Sequence, residues 1–337
     1  MNRGDAWREM GTYFSWAPRS GDADEVQIFH VELGEADAPP LVLVHGFPTS
    51  SVDWFEVAEQ LSGRFRVCAL DFPGFGFSDK PLGWGYSLKR DAEVLEHYMA
   101  DVLGLESVIM VAHDRGTSVS LVNVTSGESR VNLEHYFLTN GNIFLPMSQL
   151  TQAQRIMLDP EAGPAALRAG TPEQLAVGVG PLMYWPARGA NDPEIEALVA
   201  IFSYGEGLRV LHETIQYLVE RSQDEESWLQ ALAAMDVPTT FIWGVYDTIS
   251  PPRVVNYVWN EFMMMKPGPN SLYFIPDAGH YLQNDQPEGF VETLLHALEA
   301  PDDSPPGAIA TRLGSPLLVD RSRSELPRAA DLLTHPA

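Results

Sequence analysis

Residues 108–116 read Val-Ile-Met-Val-Ala-His-Asp-Arg-Gly, and no other stretch of the chain restricts its possible folds as much. A short apolar run of strand character ends at Ala112, and His113, Asp114, Arg115 and Gly116 follow without a spacer. This small-x-nucleophile-x-small pattern marks a strand that turns abruptly into a helix and exposes one reactive side chain at the apex. The turn is so tight that bulky side chains two residues to either side would strike neighbouring backbone. Ala112 and Gly116 meet that constraint. Aspartate stands at the apex, where serine is commoner. A carboxylate is already ionised at neutral pH, so it attacks without a base, and it suits alkyl rather than acyl carbon.

A strand–turn–helix of this kind belongs in a parallel sheet, and the rest of the chain carries the same rhythm. Strands are expected at Val26–Leu33, Leu41–Val44, Phe65–Leu70, Val108–Ala112, Tyr136–Thr139, Thr240–Trp243 and Ser271–Ile275. Helical patterns occur at Ser87–Leu103, after Arg115, at Pro252–Met263 and at Glu288–Leu298. Between 147 and 235 the alternation stops. Only helical patterns remain there, at Pro172–Val177, Asp192–Phe202, Val210–Arg221 and Ser227–Met235. The expected fold is α/β, a mostly parallel sheet with helices on both faces and an inserted helical cap over one end. The expected division is a core of residues 1–146 and 236–300, a cap of 147–235, and a tail of 301–337. The tail is rich in Pro, Asp, Ser and Arg and is expected to be disordered.

Charge and composition restrict the partners. The 337 residues, 45% of them hydrophobic, suffice for one large domain with an insertion or for two small ones. The net charge is −25, from 21 basic and 46 acidic residues, which disfavours nucleic acid and anionic membrane surfaces. No run of about 18 apolar residues occurs, so no membrane span is expected. Residues 1–16 hold no apolar signal-peptide core. Cys68 is the single cysteine, which excludes a disulfide framework and a cysteine zinc site. The expectations are a cytoplasmic location, no cofactor and no metal, with a small apolar organic substrate and water as partners.

Further segments gather around the turn at Asp114. The strand Leu41–Val44 leads into His45-Gly46-Phe47-Pro48, where the N–H of Phe47 would face a developing oxyanion together with the N–H of Arg115. The loop from Leu70 to Pro81 holds Gly74 and Gly76 and reads as structural support. It lacks the third glycine and the helix that a dinucleotide site needs. Strand Thr240–Trp243 leads to Gly244-Val245-Tyr246-Asp247, and strand Ser271–Ile275 leads to Pro276-Asp277-Ala278-Gly279-His280. Asp114, Asp247 and His280 thus follow in chain order as nucleophile, orienting acid and base. Each lies past the C-terminal end of a strand, the edge where open α/β sheets hold their active sites. His113 reads as a packing residue behind the turn. His30, His97, His135, His212 and His296 have no partnered context.

Taken together, His45–Pro48, Gly74–Pro81, His113–Gly116 and Gly279–His280 resemble the α/β-hydrolase superfamily, in the branch of epoxide hydrolases and haloalkane dehalogenases. The resemblance runs over roughly residues 7–300. It implies an α/β-hydrolase fold with Asp114 as nucleophile, His280 as base and Asp247 as its orienting acid. Haloalkane dehalogenases usually hold the halide with an Asn at the place of Phe47 and a Trp at the place of Arg115, and this chain has neither. Fluoroacetate dehalogenases grip a carboxylate with two arginines; Arg115 matches the first, and Ser118 stands at the second. Epoxide hydrolases protonate the epoxide oxygen with cap tyrosines. Tyr217 fits the second of these, and Tyr184 and Tyr204 are candidates for the first. The expected activity is therefore the opening of epoxides to vicinal diols through an alkyl ester on Asp114. One alternative is a haloalkane or haloacid dehalogenase using the same three residues, with Trp185 and Tyr217 as the halide cradle. Another is a hydrolase-fold binding protein without turnover. An ester substrate is disfavoured, because aspartate would form an anhydride from it.

Overall fold

The computed structural model describes residues 2–299, 307–308 and 315–321. Its centre is built from strands that are apolar on both faces. Leu41 to Val44 are fully buried, as is most of the run from Val108 to Ala112, and strands of that kind sit between two layers of helices. In chain order the strands are β1 (Thr12–Trp16), β2 (Val26–Leu33), β3 (Pro40–Val44), β4 (Arg66–Leu70), β5 (Ser107–His113), β6 (Asn132–Thr139), β7 (Thr239–Gly244), β8 (Ser271–Ile275), β9 (Gly307–Ala308) and β10 (Leu317–Arg321). Among the described residues they form one sheet in the order β1-β2-β4-β3-β5-β6-β7-β8-β10-β9. The run from β4 to β8 is parallel, and the strands added at either side are antiparallel.

The strand order locates the functional edge. From β3 the chain moves outward to β4 and then returns past β3 to β5, so the winding reverses between β3 and β5. Loops leaving neighbouring strands diverge at such a point and open a crevice. Register keeps the strand ends level: Val44 pairs with Ala112, His113 with Thr139, and Thr139 with Ile242. The loops after β3, β5, β6, β7 and β8 therefore leave the sheet at one edge. Between β6 and β7 every regular element is helical, from Leu145–Met147 to the long helix Tyr217–Ala234.

The structure departs from the sequence reading in four places. The predicted helices Val210–Arg221 and Ser227–Met235 are instead a short turn, Leu211–Thr214, followed by one 18-residue helix, Tyr217–Ala234. The polar run Ser222–Glu226 is helix-tolerant and mostly faces solvent, with Glu225 turned inward. The helices starting near Ser87 and at Pro252 end in π-turns, at Tyr98–Val102 and Trp259–Met263. Strand β1 went unread, because it is a half-exposed edge strand with little alternation. Within the tail, Leu317–Arg321 is a strand that covers the outer edge of β8, with Leu318 buried. Three apolar residues were enough, because β8 offers a ready row of backbone partners. The rest of the predicted tail lies outside the described residues.

Candidate active site

Asp114 closes β5 and caps the helix Arg115–Thr125 with φ 47° and ψ −117°. A side chain other than glycine at positive φ is strained, and such strain is held only where packing overdetermines it. That packing comes from glycines. A Cβ on Gly116 would lie 2.6 Å from the carbonyl oxygens of both Val44 and His45, so the new helix abuts the end of β3. A Cβ on Gly46 would lie 2.8 Å from the Cβ of Asp114. The need for a small residue at 116 was legible in sequence; that at 46 was not, because it arises between two loops.

The carboxylate of Asp114 is fully specified by its neighbours. Its Oδ1 accepts the backbone N–H of Phe47 at 2.8 Å. Its Oδ2 lies 3.3 Å from Nε2 of His280. The other ring nitrogen of His280, Nδ1, lies 2.8 Å from Oδ2 of Asp247. Asp247 is held in turn at Oδ1 by the N–H groups of Ile249 (2.8 Å) and Ser250 (2.9 Å). All three side chains are buried. Burial alone would raise the pKa of Asp114, but contact with His280 outweighs it and holds the carboxyl below its usual value. Burial alone would lower that of His280, but the carboxylates of Asp247 and Asp114 outweigh it and raise it. The contact thus favours the ionised form of Asp114 and the protonated form of His280.

Asn140 is a residue of the candidate site that sequence reasoning missed. It sits at φ 39° just past β6. Its Nδ2 donates to Oδ2 of Asp247 (2.8 Å) and to the carbonyl of Gly279 (2.9 Å), and its Oδ1 accepts the N–H of Gly244 (2.9 Å). One amide thereby ties together the loops after β6, β7 and β8. The available signal was an Asn-Gly pair directly after a strand, which favours a left-handed residue.

His45 and His113 support the site from behind. The N–H of Phe72 donates to Nε2 of His45 at 3.0 Å, so Nδ1 carries the proton and donates to the carbonyl of Gly46 at 2.9 Å. Burial pushes His45 down to about 4 and keeps it neutral. His113 packs 5.2 Å from the ring of His280, and burial with that neighbour pushes it down to about 3.

The remaining expected site residues divide. Phe47 and Asp114 line a narrow cavity of about 40 Å³ with His280, Met157, Leu175 and Leu182, so its wall is largely apolar. A larger groove of about 460 Å³, between Lys89 and Trp228, contains none of these residues. Arg115 begins its helix, so its backbone N–H has no carbonyl one turn earlier to bond. Its side chain forms a buried ion pair with Asp91 and lies over the rings of Phe75 (4.9 Å) and Tyr217 (5.4 Å). Tyr217 is buried with its ring 6.0 Å from that of Phe47, its hydroxyl faces the Asn142 amide, and it does not line the cavity. Tyr184 packs 5.7 Å from Tyr281 beneath the Arg188 guanidinium and does not line the cavity. Trp185 is 43% exposed and stacks on Tyr246 at 4.3 Å, outside the cavity. The backbone leaves the helix Pro172–Met183 just before it and carries it to the surface, so it forms no cradle with Tyr217. Tyr204 packs on Phe77 and faces Tyr13, likewise outside the cavity.

No group of His, Cys, Asp and Glu suited to a metal ion occurs among the described residues, and no described helix is long and apolar enough to cross a membrane. Residues 39–132 match the family model described as alpha/beta hydrolase fold. LipZ of Mycobacterium tuberculosis, a hydrolase by name, is 31% identical over 295 residues, covering 87% of this chain and 96% of its own. The mesoderm-specific transcript protein of Mus musculus is 31% identical over 304 residues, covering 86% of each. The crystal structure of an alpha/beta hydrolase fold protein from Burkholderia ambifaria covers 85% of this chain and 97% of its own, with a TM-score of 0.67 at 26% identity. Sheet order, the sharp turn at Asp114 and these relatives agree that the chain belongs to the α/β-hydrolase fold family.

Proposed function

We propose that this protein is a hydrolase acting through an alkyl ester on Asp114, and that it opens epoxides to vicinal diols beneath the helical cap 147–235. The observation that carries this reading is the state of Asp114. It is an ionised carboxylate at a strained apex, one oxygen held by the Phe47 N–H and the other facing His280. Such a group is a poor acyl nucleophile and a competent alkyl one. An epoxide differs from a haloalkane in its leaving group, because an alkoxide needs a proton and a halide does not. Tyr217 supports the epoxide: its hydroxyl is buried beside the Asn142 amide, and its ring lies 6.0 Å from that of Phe47.

In the first half-reaction a carboxylate oxygen of Asp114 bonds to an epoxide carbon, the C–O bond breaks, and the departing oxygen takes the Tyr217 proton. Esterification removes one of the two anions that hold the proton on His280. That proton passes to the Tyr217 phenolate through water, which leaves His280 as a free base oriented by Asp247. In the second half-reaction His280 takes a proton from water and the hydroxide adds to the ester carbonyl. The N–H groups of Phe47 and Arg115 hold the oxyanion, each worth about 3 kcal/mol. Collapse expels the diol oxygen, which takes the proton of the new carboxylic acid and restores the Asp114 carboxylate beside the imidazolium.

The route puts an oxygen from water into the enzyme. Single turnover in ¹⁸O-water followed by peptide mass spectrometry is expected to label Asp114. Label in product alone, with none in this peptide after repeated turnovers, overturns the covalent route. A panel of styrene oxide, 1,2-dibromoethane, fluoroacetate and a p-nitrophenyl ester is expected to yield diol. Halide release without diol would assign a dehalogenase instead.

A further inference from the structure

Arg221 lies one turn after Tyr217 on the helix Tyr217–Ala234 and is fully buried. None of its three guanidinium nitrogens has a hydrogen-bond partner. Glu225, one turn further on, leaves it unbonded and instead accepts the backbone N–H of Leu145 at 2.9 Å. Two more buried polar groups lie near it, the Tyr217 hydroxyl and the Asn142 amide that faces it. Burial lowers the pKa of Arg221, and Tyr217, Glu225 and Asp114, in that order, act on its charge the other way. The other fully buried guanidinium among the described residues, Arg115, is by contrast paired with Asp91.

A buried guanidinium with no hydrogen-bond acceptor is costly to hold, even with Glu225 acting on its charge, and an acceptor brought in from outside would relieve that cost. The guanidinium fork matches a carboxylate, and a side-chain amide adds a further donor. We infer that Arg221 and Asn142 form a subsite for a carboxylate carried by the substrate, on the Tyr217 side of Asp114. The subsite rests on the proposed epoxide reading for its reacting group, though not for the acid it receives. One helical turn, about 5.4 Å, separates Arg221 from Tyr217, so acid and epoxide stand a few bonds apart. The substrate class is a short epoxy acid, and Arg221 is a specificity-determining residue.

The first test needs no turnover. Cinnamate, a carboxylate without an epoxide, is expected to raise the melting temperature of the protein by about 2–4 °C near saturation. Neutral trans-β-methylstyrene and sodium chloride at equal concentration are expected to raise it less. Arg221→Met is expected to abolish the cinnamate response. Should that variant fail to fold, Arg221→Lys, which keeps the charge and loses the fork, and Asn142→Leu are each expected to weaken it. In kinetics, the ratio of kcat/KM for trans-3-phenylglycidate to that for trans-β-methylstyrene oxide is expected to fall about 10²-fold in Arg221→Met. No cinnamate response in the unmodified protein, an equal response in the variants, or a response to chloride alone overturns the subsite. Cinnamate stabilisation that depends on Arg221, with no diol from either epoxide, would uphold the subsite and refute the epoxide reading.

Discussion

The Nε2 of His280 lies 3.3 Å from Oδ2 of Asp114, the carboxylate oxygen that the Phe47 N–H does not hold. The same ring is anchored through Nδ1 to Asp247 at 2.8 Å. On the proposed route, His280 faces two anions before the reaction and one when Asp114 is esterified, and its basicity is then coupled to the covalent state of its neighbour.

That coupling separates the half-reactions. His280→Gln is expected to leave alkylation of Asp114 intact, because an ionised carboxylate needs no base, and to stall ester hydrolysis. Intact-mass measurement is expected to show an adduct that accumulates with a reactive epoxide. An inactive variant with no adduct from any substrate of the unmodified enzyme would contradict this division.

The same pair governs stability against pH. His280 is raised to about 10 in the folded protein, against about 6.5 for a free histidine. Its contribution is thus complete below about 6.5 and is lost as pH climbs through the folded value. Asp114 is shifted down, so its contribution is present above the ordinary carboxylate range and is lost on acidification. Melting temperature is expected to decline between pH 7 and 10, and His280→Gln is expected to flatten that decline. An unchanged slope in the variant would assign the decline to other groups.

In the proposed mechanism Tyr217 carries the distinction between leaving groups. Tyr217→Phe removes a buried hydroxyl whose polar neighbour is the Asn142 amide, so stability is expected to change by about 1 kcal/mol or less. Epoxide turnover is expected to fall by roughly 10²-fold or more. Turnover within twofold of the unmodified enzyme would remove the tyrosine from the mechanism.

Asn140→Leu unties three loops at once. The Gly244 N–H and Gly279 carbonyl lose their partner, and Asp247 loses one donor. Denaturant unfolding is expected to show a loss of about 2–4 kcal/mol, with a lower kcat because Asp247 no longer holds its position. A variant with both quantities intact would show that the amide is dispensable.

Gly46→Ala tests the fit behind the apex. The added methyl would lie 2.8 Å from the Cβ and 3.0 Å from Oδ1 of Asp114, so the carboxylate must shift. Activity is expected to fall about 10²-fold while the fold survives, because Gly46 has no positive φ to lose. The contrasting Gly116→Ala meets two backbone oxygens at 2.6 Å and is expected to impair folding itself. Near-normal activity in Gly46→Ala would mean that the turn is less tightly packed than its geometry requires.

The features legible in the chain alone are those written in contiguous residues. The run Val108–Gly116 dictates a strand, a tight turn and a helix through local sterics, and the apolar runs at Leu41–Val44 and Ser271–Ile275 declare buried strands. The order Asp114, Asp247, His280 was legible too, since each residue follows its own strand. What the tertiary structure decided are contacts between segments far apart in sequence. Asn140 joins Asp247, Gly244 and Gly279 across more than a hundred residues, Gly46 backs Asp114, and β10 finds an open edge on β8. The helical segment was least legible, because its polar residues alternate between solvent and interior around one helix. There Ser222 and Glu226 face water, while Arg221 is buried near Asp114 with no hydrogen-bond acceptor. A hydrophobic pattern marks a buried face only when that face is apolar, and this one holds a charge.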